Sequence, residues 1–303
     1  MKIWLMFLLL TVFTLDSILA QEDGSTRALN LSLFYPLSTN GSKDVQTSTN
    51  ISLIYGNVGS VRAFDMSGAV SVINHDFRGF QLVGLVAKVK GDASGLRIAG
   101  LYNNTDGRFS GWQMGGFNHA ANLSGTQVGL INTADSVQTG VQIGLINIAR
   151  KQHGIPIGLI NLADNGKLQA IVYGTSYANI NAGLRFLANQ FYSELAIGRT
   201  SFDFWTEQST IFSFHYGYMM PLTEEYQMSA DLGYLHVYNN PELTERDPEE
   251  DVFALQLRFL LHIQITEQAA AFGGGGTTFT FKNYSIPGYD YFHVLFLAGL
   301  SFF

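Results

Sequence analysis

The C-terminal half of the chain alternates between apolar and polar positions over three long segments, 210–220, 226–238 and 253–265. One face of the last segment carries Phe253, Leu255, Leu257, Phe259, Leu261, Ile263 and Ile265. The opposite face carries Ala254, Gln256, Arg258, Leu260, His262 and Gln264. A period of two places each set on one side of a β-strand. Lipid outside and a filled polar interior explain both faces, so the pattern predicts an antiparallel outer-membrane-type β-barrel.

The connections between the predicted strands differ in length in a regular order. Eight strand candidates follow residue 168, and short turns at 189–190, 222–225 and 266–267 alternate with longer loops at 202–208, 239–250 and 282–288. Outer-membrane barrels have short periplasmic turns and longer external loops. The acidic segment 241–251 is therefore expected outside.

The last strand ends in Leu297-Ala-Gly-Leu-Ser-Phe-Phe303. It resembles the terminal strand of bacterial outer-membrane proteins, and the resemblance implies that the barrel-insertion machinery reads it during assembly. The alternation is anchored on the penultimate Phe302, one residue away from the usual pattern. This expectation makes the insertion machinery and outer-membrane lipid the predicted partners.

The N-terminus has the pattern of a cleaved secretory signal over residues 1–20. Lys2 precedes an apolar run over 3–13, and Ile18-Leu-Ala20 offers a cleavage site before Gln21. The run is too short to span a bilayer as a helix. Export and the absence of cysteine favour a bacterial envelope protein with neither disulfides nor a lipid anchor on cysteine.

A unit of about fifteen residues repeats through the middle of the chain. Its clearest copies are Gly125-Thr-Gln-Val-Gly-Leu-Ile-Asn132, Gly140-Val-Gln-Ile-Gly-Leu-Ile-Asn147 and Gly154-Ile-Pro-Ile-Gly-Leu-Ile-Asn161, and looser ones begin at Gly79, Gly95 and Gly111. Parallel stacking of equivalent coils explains this period, with glycine at a tight bend and the apolar pair inside. Stacked amides would then form a ladder of Asn118, Asn132, Asn147 and Asn161, although turn chemistry explains these asparagines nearly as well.

Two architectures follow for the whole chain. In the favoured one, residues 21–57 supply the first barrel strands, near 27–36 and 50–57, and 167–303 supply the rest. Together they form a barrel of about ten strands. Residues 58–166, with clear repeats over 79–165, form a β-solenoid-like segment. In the alternative, the repeats are themselves strands of one barrel of about eighteen strands. Pro156 counts against this alternative, because proline removes a ladder donor within a strand.

The Gly-Leu-x-Asn units resemble those of a largely uncharacterised family of bacterial surface-repeat proteins. The resemblance covers residues 79–165 and implies a location at the cell surface or in the envelope. It implies no particular ligand.

Four charged residues fall on the predicted polar face of the barrel: Arg185, Glu194, Asp231 and Arg258. In a narrow barrel they are expected to form buried ion pairs, because an unpaired buried charge is costly. In a wider barrel they would line a channel.

Little else in the sequence indicates chemistry. The net charge of −7 gives no support for nucleic-acid binding, and no pair of histidines has a metal-ligand spacing. Ser213 and His215 share one face but give only weak support for a catalytic site. We therefore expect no catalytic, cofactor or metal site. The favoured function is an outer-membrane surface protein with a structural or surface-interaction role. A porin-like channel or transporter and a secreted β-solenoid adhesin are the alternatives.

Overall fold

The computed structural model describes residues 26–40, 42–176, 178, 180–199, 210–238, 252–281 and 292–303. The predicted signal peptide, the acidic segment 241–251 and the long loops at 202–208 and 282–288 lie outside these residues. All the regular elements of the described residues are β-strands. These residues contain no helix that is long and apolar enough to cross a membrane. It divides into two compact units, residues 1–155 and 156–303. These findings confirm the predicted all-β class with a barrel and a solenoid-like segment.

The first unit is a stack of β-coils. Its strands are β1 (Thr26–Phe34), β2 (Leu37–Ser38), β3 (Gln46–Val58), β4 (Ser60–Ser67), β5 (Val70–Ile73), β6 (Phe77–Val83), β7 (Val86–Val89), β8 (Ala93–Ala99), β9 (Tyr102–Met114), β10 (Phe117–Leu123), β11 (Thr126–Val128), β12 (Ile131–Val137), β13 (Val141–Ile143) and β14 (Ile146–Gln152). The next strand, β15 (Ile155–Ile157), crosses the division between the units.

Neighbouring coils of the first unit pair in parallel on two sheets. One sheet contains the end of β3, then β5, β7, the start of β9, β10, β12 and β14. The other contains the start of β3, then β4, β6, β8, the end of β9, β11 and β13. Parallel pairing at a period of one coil defines a β-solenoid. The alternative of one barrel of about eighteen strands is therefore wrong, because adjacent strands of such a barrel are antiparallel.

The N-terminal segments predicted to begin the barrel belong to the solenoid instead. Strand β1 pairs in parallel with β3, and β3 pairs in parallel with β4. The predicted barrel strands near 27–36 and 50–57 are thus wrong. A half-buried coil strand alternates with the same period of two as a barrel strand, so the pattern alone does not distinguish them.

The second unit contains a closed barrel. Its strands are β16 (Ile160–Ala163), β17 (Lys167–Thr175), β18 (Ile180–Ala188), β19 (Phe191–Arg199), β20 (Thr210–Pro221), β21 (Tyr226–Tyr238), β22 (Val252–Thr266), β23 (Ala269–Thr280) and β24 (Phe292–Phe302). Strands β17 to β24 form the barrel, each antiparallel to its neighbours, and β24 closes on β17. The barrel thus has eight strands rather than about ten, because the two N-terminal strands are absent from it.

The outer surface of the barrel is apolar, as the alternation predicted. The outward side chains of β22 are exposed, among them Leu257, Phe259 and Leu261, whereas Leu260 and Arg258 between them are buried. The last strand follows the same rule, with Phe296 exposed and Leu297 buried. Large apolar side chains thus point outward from these strands, and the residues between them point into the barrel.

Three glycines of the solenoid occupy equivalent positions that exclude a side chain. Gly79, Gly95 and Gly111 have φ of 130°, 111° and 118°, where L-residues are strained. A Cβ on Gly95 would lie 2.0 Å from the carbonyl oxygen of Gly79, and one on Gly111 would lie 2.1 Å from that of Gly95. The repeated glycine therefore permits the close approach of successive coils.

Candidate functional site

The barrel interior gathers four charged residues that the sequence placed on the polar face. Arg185 on β18 pairs across the sheet with Glu194 on β19, and Asp231 on β21 pairs with Arg258 on β22. All four are at most 3% exposed. We call these residues the interior cluster.

Glu194 joins the two cross-strand pairs of the interior cluster. Arg185 donates to Glu194 Oε2 from Nη2 at 2.7 Å and from Nε at 3.0 Å. Arg258 donates from Nη2 to Glu194 Oε1 at 3.0 Å and from Nε to Asp231 Oδ1 at 2.7 Å. Two guanidinium groups thus face two carboxylates, and the formal charges of the cluster cancel.

Further polar side chains surround the interior cluster, and the sequence pattern did not predict their contact with it. The Tyr192 hydroxyl donates to Asp231. His215 Nε2 lies 2.8 Å from Gln256 Oε1, and Gln256 donates to Thr278 at 3.1 Å. Each of these residues lies on the inward face of its strand, but the pairing register that brings them together is not apparent from one sequence.

Glycines on the inward face make room for the large side chains. A Cβ on Gly217 would lie 2.5 Å from the Tyr192 ring, and a Cβ on Gly233 would lie 1.9 Å from the His215 ring. Glycine on the polar face of β20 and β21 is thus a sequence signal of a filled interior.

The described part of the barrel interior is closely packed. A cavity of about 10 Å³ lies beside Tyr173, Ser213 and Gln256, and another of about 10 Å³ lies beside Gln169 and His262. Each is about large enough for one water molecule. An eight-stranded barrel is just wide enough for side chains to fill its interior. Among the described residues, the interior cluster is therefore buried by the side chains around it.

Ser213 and His215, which share a face of β20, do not form a nucleophile–base pair. His215 uses Nε2 on Gln256, and its Nδ1 lies 3.8 Å from Glu194 Oε1. Both residues are buried, Ser213 at 8% and His215 at 0% exposure. Within the described ranges, no cluster of three or more His, Asp or Glu side chains is placed to hold a metal ion.

The solenoid interior contains an asparagine column, defined as Asn103, Asn118, Asn132 and Asn147. Asn103 donates to Asn118 at 3.0 Å, Asn118 donates to Asn132 at 2.9 Å, and Asn132 donates to Asn147 at 2.9 Å. These residues occupy equivalent register positions in successive coils. Three of the four asparagines proposed as a ladder therefore lie in it, and Asn103 extends it by one coil.

The fourth asparagine of the predicted ladder, Asn161, lies in the second unit. It donates to the Gly158 carbonyl at 3.0 Å and to Ser193 Oγ on barrel strand β19 at 3.2 Å. Ser193 in turn donates to the Leu159 carbonyl at 2.9 Å. The Tyr216 hydroxyl donates to the Pro156 carbonyl at 3.0 Å. Residues 156–161 are thus hydrogen-bonded to barrel strands β19 and β20.

A second buried column runs through the solenoid, which we call the glutamine column. Its members, at equivalent register positions, are Asn30, Asn50, Asp65, Gln81, Arg97, Gln113, Gln127 and Gln142. Gln127 donates to Gln113 at 3.0 Å, and Gln142 donates to Gln127 at 3.0 Å. No sequence prediction had singled out this column.

The residues that point inward and outward in the repeat unit differ from those expected. In the unit 125–132, Gln127 and Asn132 are fully buried, whereas Leu130 is 56% exposed. The expectation that the apolar pair lies inside was therefore wrong. Two hydrogen-bonded polar columns fill that part of the interior, and they displace the apolar side chains outward.

We expect Asn132→Ala to destabilise the solenoid by about 2–4 kcal/mol, because it removes three hydrogen bonds and leaves buried partners unsatisfied. The lost partners include Asn118, Asn147 and the Ile143 carbonyl. Hydrogen–deuterium exchange of peptides within 60–150 measures the loss of protection in the full chain. The exposed Gln138→Ala is the matched control. Equal protection in both variants would contradict a structural role for the column.

The glutamine column contains two charged members linked by an amide. Gln81 donates to Asp65 Oδ2 at 2.7 Å and accepts from Arg97 Nε at 2.6 Å. Burial raises the pKa of the Asp65 carboxyl, and hydrogen bonds from Ser71, Gln81 and Asn50 and the charge of Arg97 lower it by less. Burial also lowers the pKa of Arg97 to about 9, so its guanidinium is charged at neutral pH.

The raised pKa of Asp65 predicts a specific pH dependence. In the unfolded chain the Asp65 carboxyl has its ordinary pKa of 3.8. In the folded protein the carboxyl stays protonated to a higher pH. The free energy of unfolding therefore falls as pH rises from the unfolded to the folded pKa. We expect Asp65→Asn to remove this contribution, measured as the difference in urea midpoint from the unsubstituted protein across a pH series. The exposed Asp44→Asn should leave the slope unchanged.

Comparisons with known proteins give one structural similarity. No protein-family model matches the chain, and no curated protein matches it. Among solved structures, the chain is similar to the N-terminal β-barrel domain of OprF from Pseudomonas aeruginosa. The identity is 14%, the TM-score is 0.32, and the alignment covers 46% of this chain and 98% of that chain.

Proposed function

We propose that this chain is a bacterial outer-membrane β-barrel protein with a structural or surface-interaction role and no enzymatic activity. The observation that carries the proposal is a closed eight-stranded barrel with apolar residues outside and a charge-balanced, filled interior. Apolar outward faces and closure of every strand edge are what a lipid environment demands of a β-protein. A soluble protein would gain nothing from exposing large apolar side chains on every strand.

The proposed cellular location is the bacterial outer membrane, reached through cleavage of the signal over residues 1–20. The chain enters the barrel at the end that carries the short turns, since Lys167 at the start of β17 pairs with Leu187 beside the turn at 189–190. With short turns in the periplasm, strand β17 begins at the periplasmic end of the barrel. The terminal strand β24, which ends at the same end of the barrel, is the segment proposed for recognition by the insertion machinery.

The interior cluster supports an anchor rather than a channel. Its four residues are paired with each other across the interior, and each of the two cavities described above has room for about one water molecule. The relation to bacterial Gly-Leu-x-Asn surface-repeat proteins is part of the same proposal, in which the barrel anchors the repeat module.

Planar-bilayer recording tests the anchor against a porin-like channel. We expect the purified protein to give no steady large conductance, because the paired side chains block the interior. The conductance of the Glu194→Gln variant provides a comparison in which one link of the cluster is lost. A steady open conductance from the unsubstituted protein would overturn the filled-barrel proposal.

Cell fractionation tests the location. We expect the protein in the outer-membrane fraction. Its electrophoretic mobility should differ between unheated samples, in which the barrel stays folded, and heated samples, in which it unfolds. Release of the protein into the medium would instead favour the secreted adhesin.

A further inference from the structure

One face of the solenoid has apolar residues outside and polar residues inside. On this face Gln81 is buried between Phe80 and Leu82, and Arg97 is buried between Leu96 and Ile98. A half-buried strand in water has the opposite order, with polar residues outward. The same inverted order occurs on the barrel strands of this chain, and it is typical of β-structure that faces lipid.

The outward residues of this face form three bands that run from coil to coil. Arg62 and Arg78 lie on the first band, on β4 and β6, and both are exposed. The second band, the aromatic column, consists of Phe64, Phe80, Leu96 and Trp112 in register. The third, the aliphatic column, consists of Met66, Leu82, Ile98, Met114, Val128 and Ile143 in register.

The exposure of these bands is large for apolar side chains. Trp112 is 53% exposed and Met66 is 46% exposed. Beyond the aliphatic column, the corner of the coils carries a further row of exposed leucines, Leu85, Leu101, Leu130 and Leu145. Such a continuous apolar surface marks a binding site for a partner or a membrane.

The backbone of the corner is also suited to an apolar medium. Leu85 N donates to the Ala69 carbonyl at 2.9 Å, and Leu101 N donates to the Leu85 carbonyl at 3.0 Å. Leu145 N likewise donates to the Leu130 carbonyl at 3.0 Å. Water normally satisfies the backbone of a corner, whereas here the neighbouring coil does, as the hydrocarbon region of a bilayer requires.

We propose that this face of the solenoid binds the surface of a bilayer that carries anionic headgroups. The order arginine, aromatic, aliphatic matches the order of layers in a membrane, from charged phosphates through the interface to the acyl chains. Because each band runs along the stack, each lies at one depth when the stack axis is parallel to the membrane. The two exposed guanidinium groups complement the negative headgroups. Membrane binding by this face is separate from the proposed insertion of the barrel into the membrane.

The absence of cysteine in the chain permits a direct test with single labels. Full-length protein is reconstituted in vesicles of zwitterionic and anionic phospholipid that contain lipids with a quencher on the acyl chain. An environment-sensitive fluorophore is attached at Leu82→Cys on the aliphatic column, at Asp135→Cys on the outward side of the other sheet, or at Val294→Cys on the barrel exterior. We expect strong quenching at Leu82→Cys and Val294→Cys and little at Asp135→Cys.

The arginine band has its own readout. Arg62→Gln/Arg78→Gln should reduce quenching at Leu82→Cys without changing it at Val294→Cys, because each arginine contributes roughly a fivefold preference for an anionic surface. Vesicles without anionic lipid should show the same reduction for the unsubstituted arginines.

The possible failures are distinguishable. Quenching at Val294→Cys but not at Leu82→Cys would overturn this inference and leave the barrel proposal intact. No quenching at Val294→Cys would overturn the barrel proposal. Self-quenching at Leu82→Cys could instead rise with protein density and be independent of the lipid quencher. That result would mean that a second copy of the protein covers this face, and it would also overturn the inference.

Discussion

Glu194→Gln is expected to lower the stability of the barrel by about 3–5 kcal/mol, the usual penalty when one member of a buried ion network is removed. The substitution leaves Arg185 and Arg258 with Asp231 as the one remaining carboxylate of the cluster. Arg185 donates to one carboxylate oxygen of Glu194 at 2.7 Å and 3.0 Å, and Arg258 donates to the other at 3.0 Å. Glutamine keeps one acceptor oxygen, so one of the two guanidinium groups would face an amide NH2 instead of an acceptor. Both guanidinium groups are essentially inaccessible to water. Water therefore does not solvate the positive charge that the substitution leaves unbalanced.

The measurement is urea unfolding of the full chain in phospholipid vesicles, with the folded fraction taken from the heat-modifiable band on cold gels. Glu225→Gln, at the exposed turn after β20, is the matched control and should unfold with the unsubstituted protein. A coincident transition for Glu194→Gln would show that the interior cluster contributes nothing to stability.

A double substitution separates charge imbalance from loss of packing. Arg185→Met/Glu194→Met removes one charge of each sign and leaves Arg258 joined to Asp231 by its bonds at 2.7 Å and 3.0 Å. Replacement of a buried ion pair by apolar residues of similar volume is often neutral or stabilising. We therefore expect the double variant to be more stable than Glu194→Gln. Comparison with the single variants Arg185→Met and Glu194→Met gives the coupling energy between the two side chains.

Gly95→Val is expected to destabilise the coils around β8 by more than about 3 kcal/mol, from backbone strain and steric overlap together. The φ of 111° is unfavourable for valine, and the Cβ would lie 2.0 Å from the Gly79 carbonyl oxygen. The preceding coil, which contains Gly79, would have to move away, and this movement breaks the parallel pairing of β8 with β6.

Hydrogen–deuterium exchange of peptides within 60–115 reports this loss, and the heat-modifiable band reports whether the barrel still forms. Ser94→Val places the same side chain one residue earlier in the same strand, where it is partly exposed and valine suits a strand. Protection that is equal in the two variants would argue against a steric requirement for glycine.

The barrel strands were predictable because each places its apolar side chains on one face and its polar side chains on the other. On β22 every outward position is large and apolar, and on β21 most of them are, so the period of two and the strand bounds near 226–238 and 253–265 follow directly. The parallel coils were predictable from the fifteen-residue period, since antiparallel strands would repeat as hairpins. Both inferences depend on spacing alone.

Other features depend on which side of a strand faces inward, and spacing does not decide this. Strands β1 and β3 alternate like barrel strands, but they lie in the solenoid. The motif Gly-Leu-Ile-Asn aligns from coil to coil in either orientation, and the hydrogen bonds of Asn132 decide that its leucine points outward. The association of Tyr192 and His215 with the interior cluster depends on pairing register, which a single sequence does not contain.

The parallel register of the coils has a consequence for how the length of this protein can change. A duplicated or deleted coil of the solenoid preserves both amide columns, because each coil contacts only its two neighbours. A barrel gives no such freedom, since removal of one strand opens two edges and reverses the direction of every later strand. Related chains are therefore expected to differ in the number of solenoid coils that precede the barrel. The number of barrel strands is expected to stay at eight.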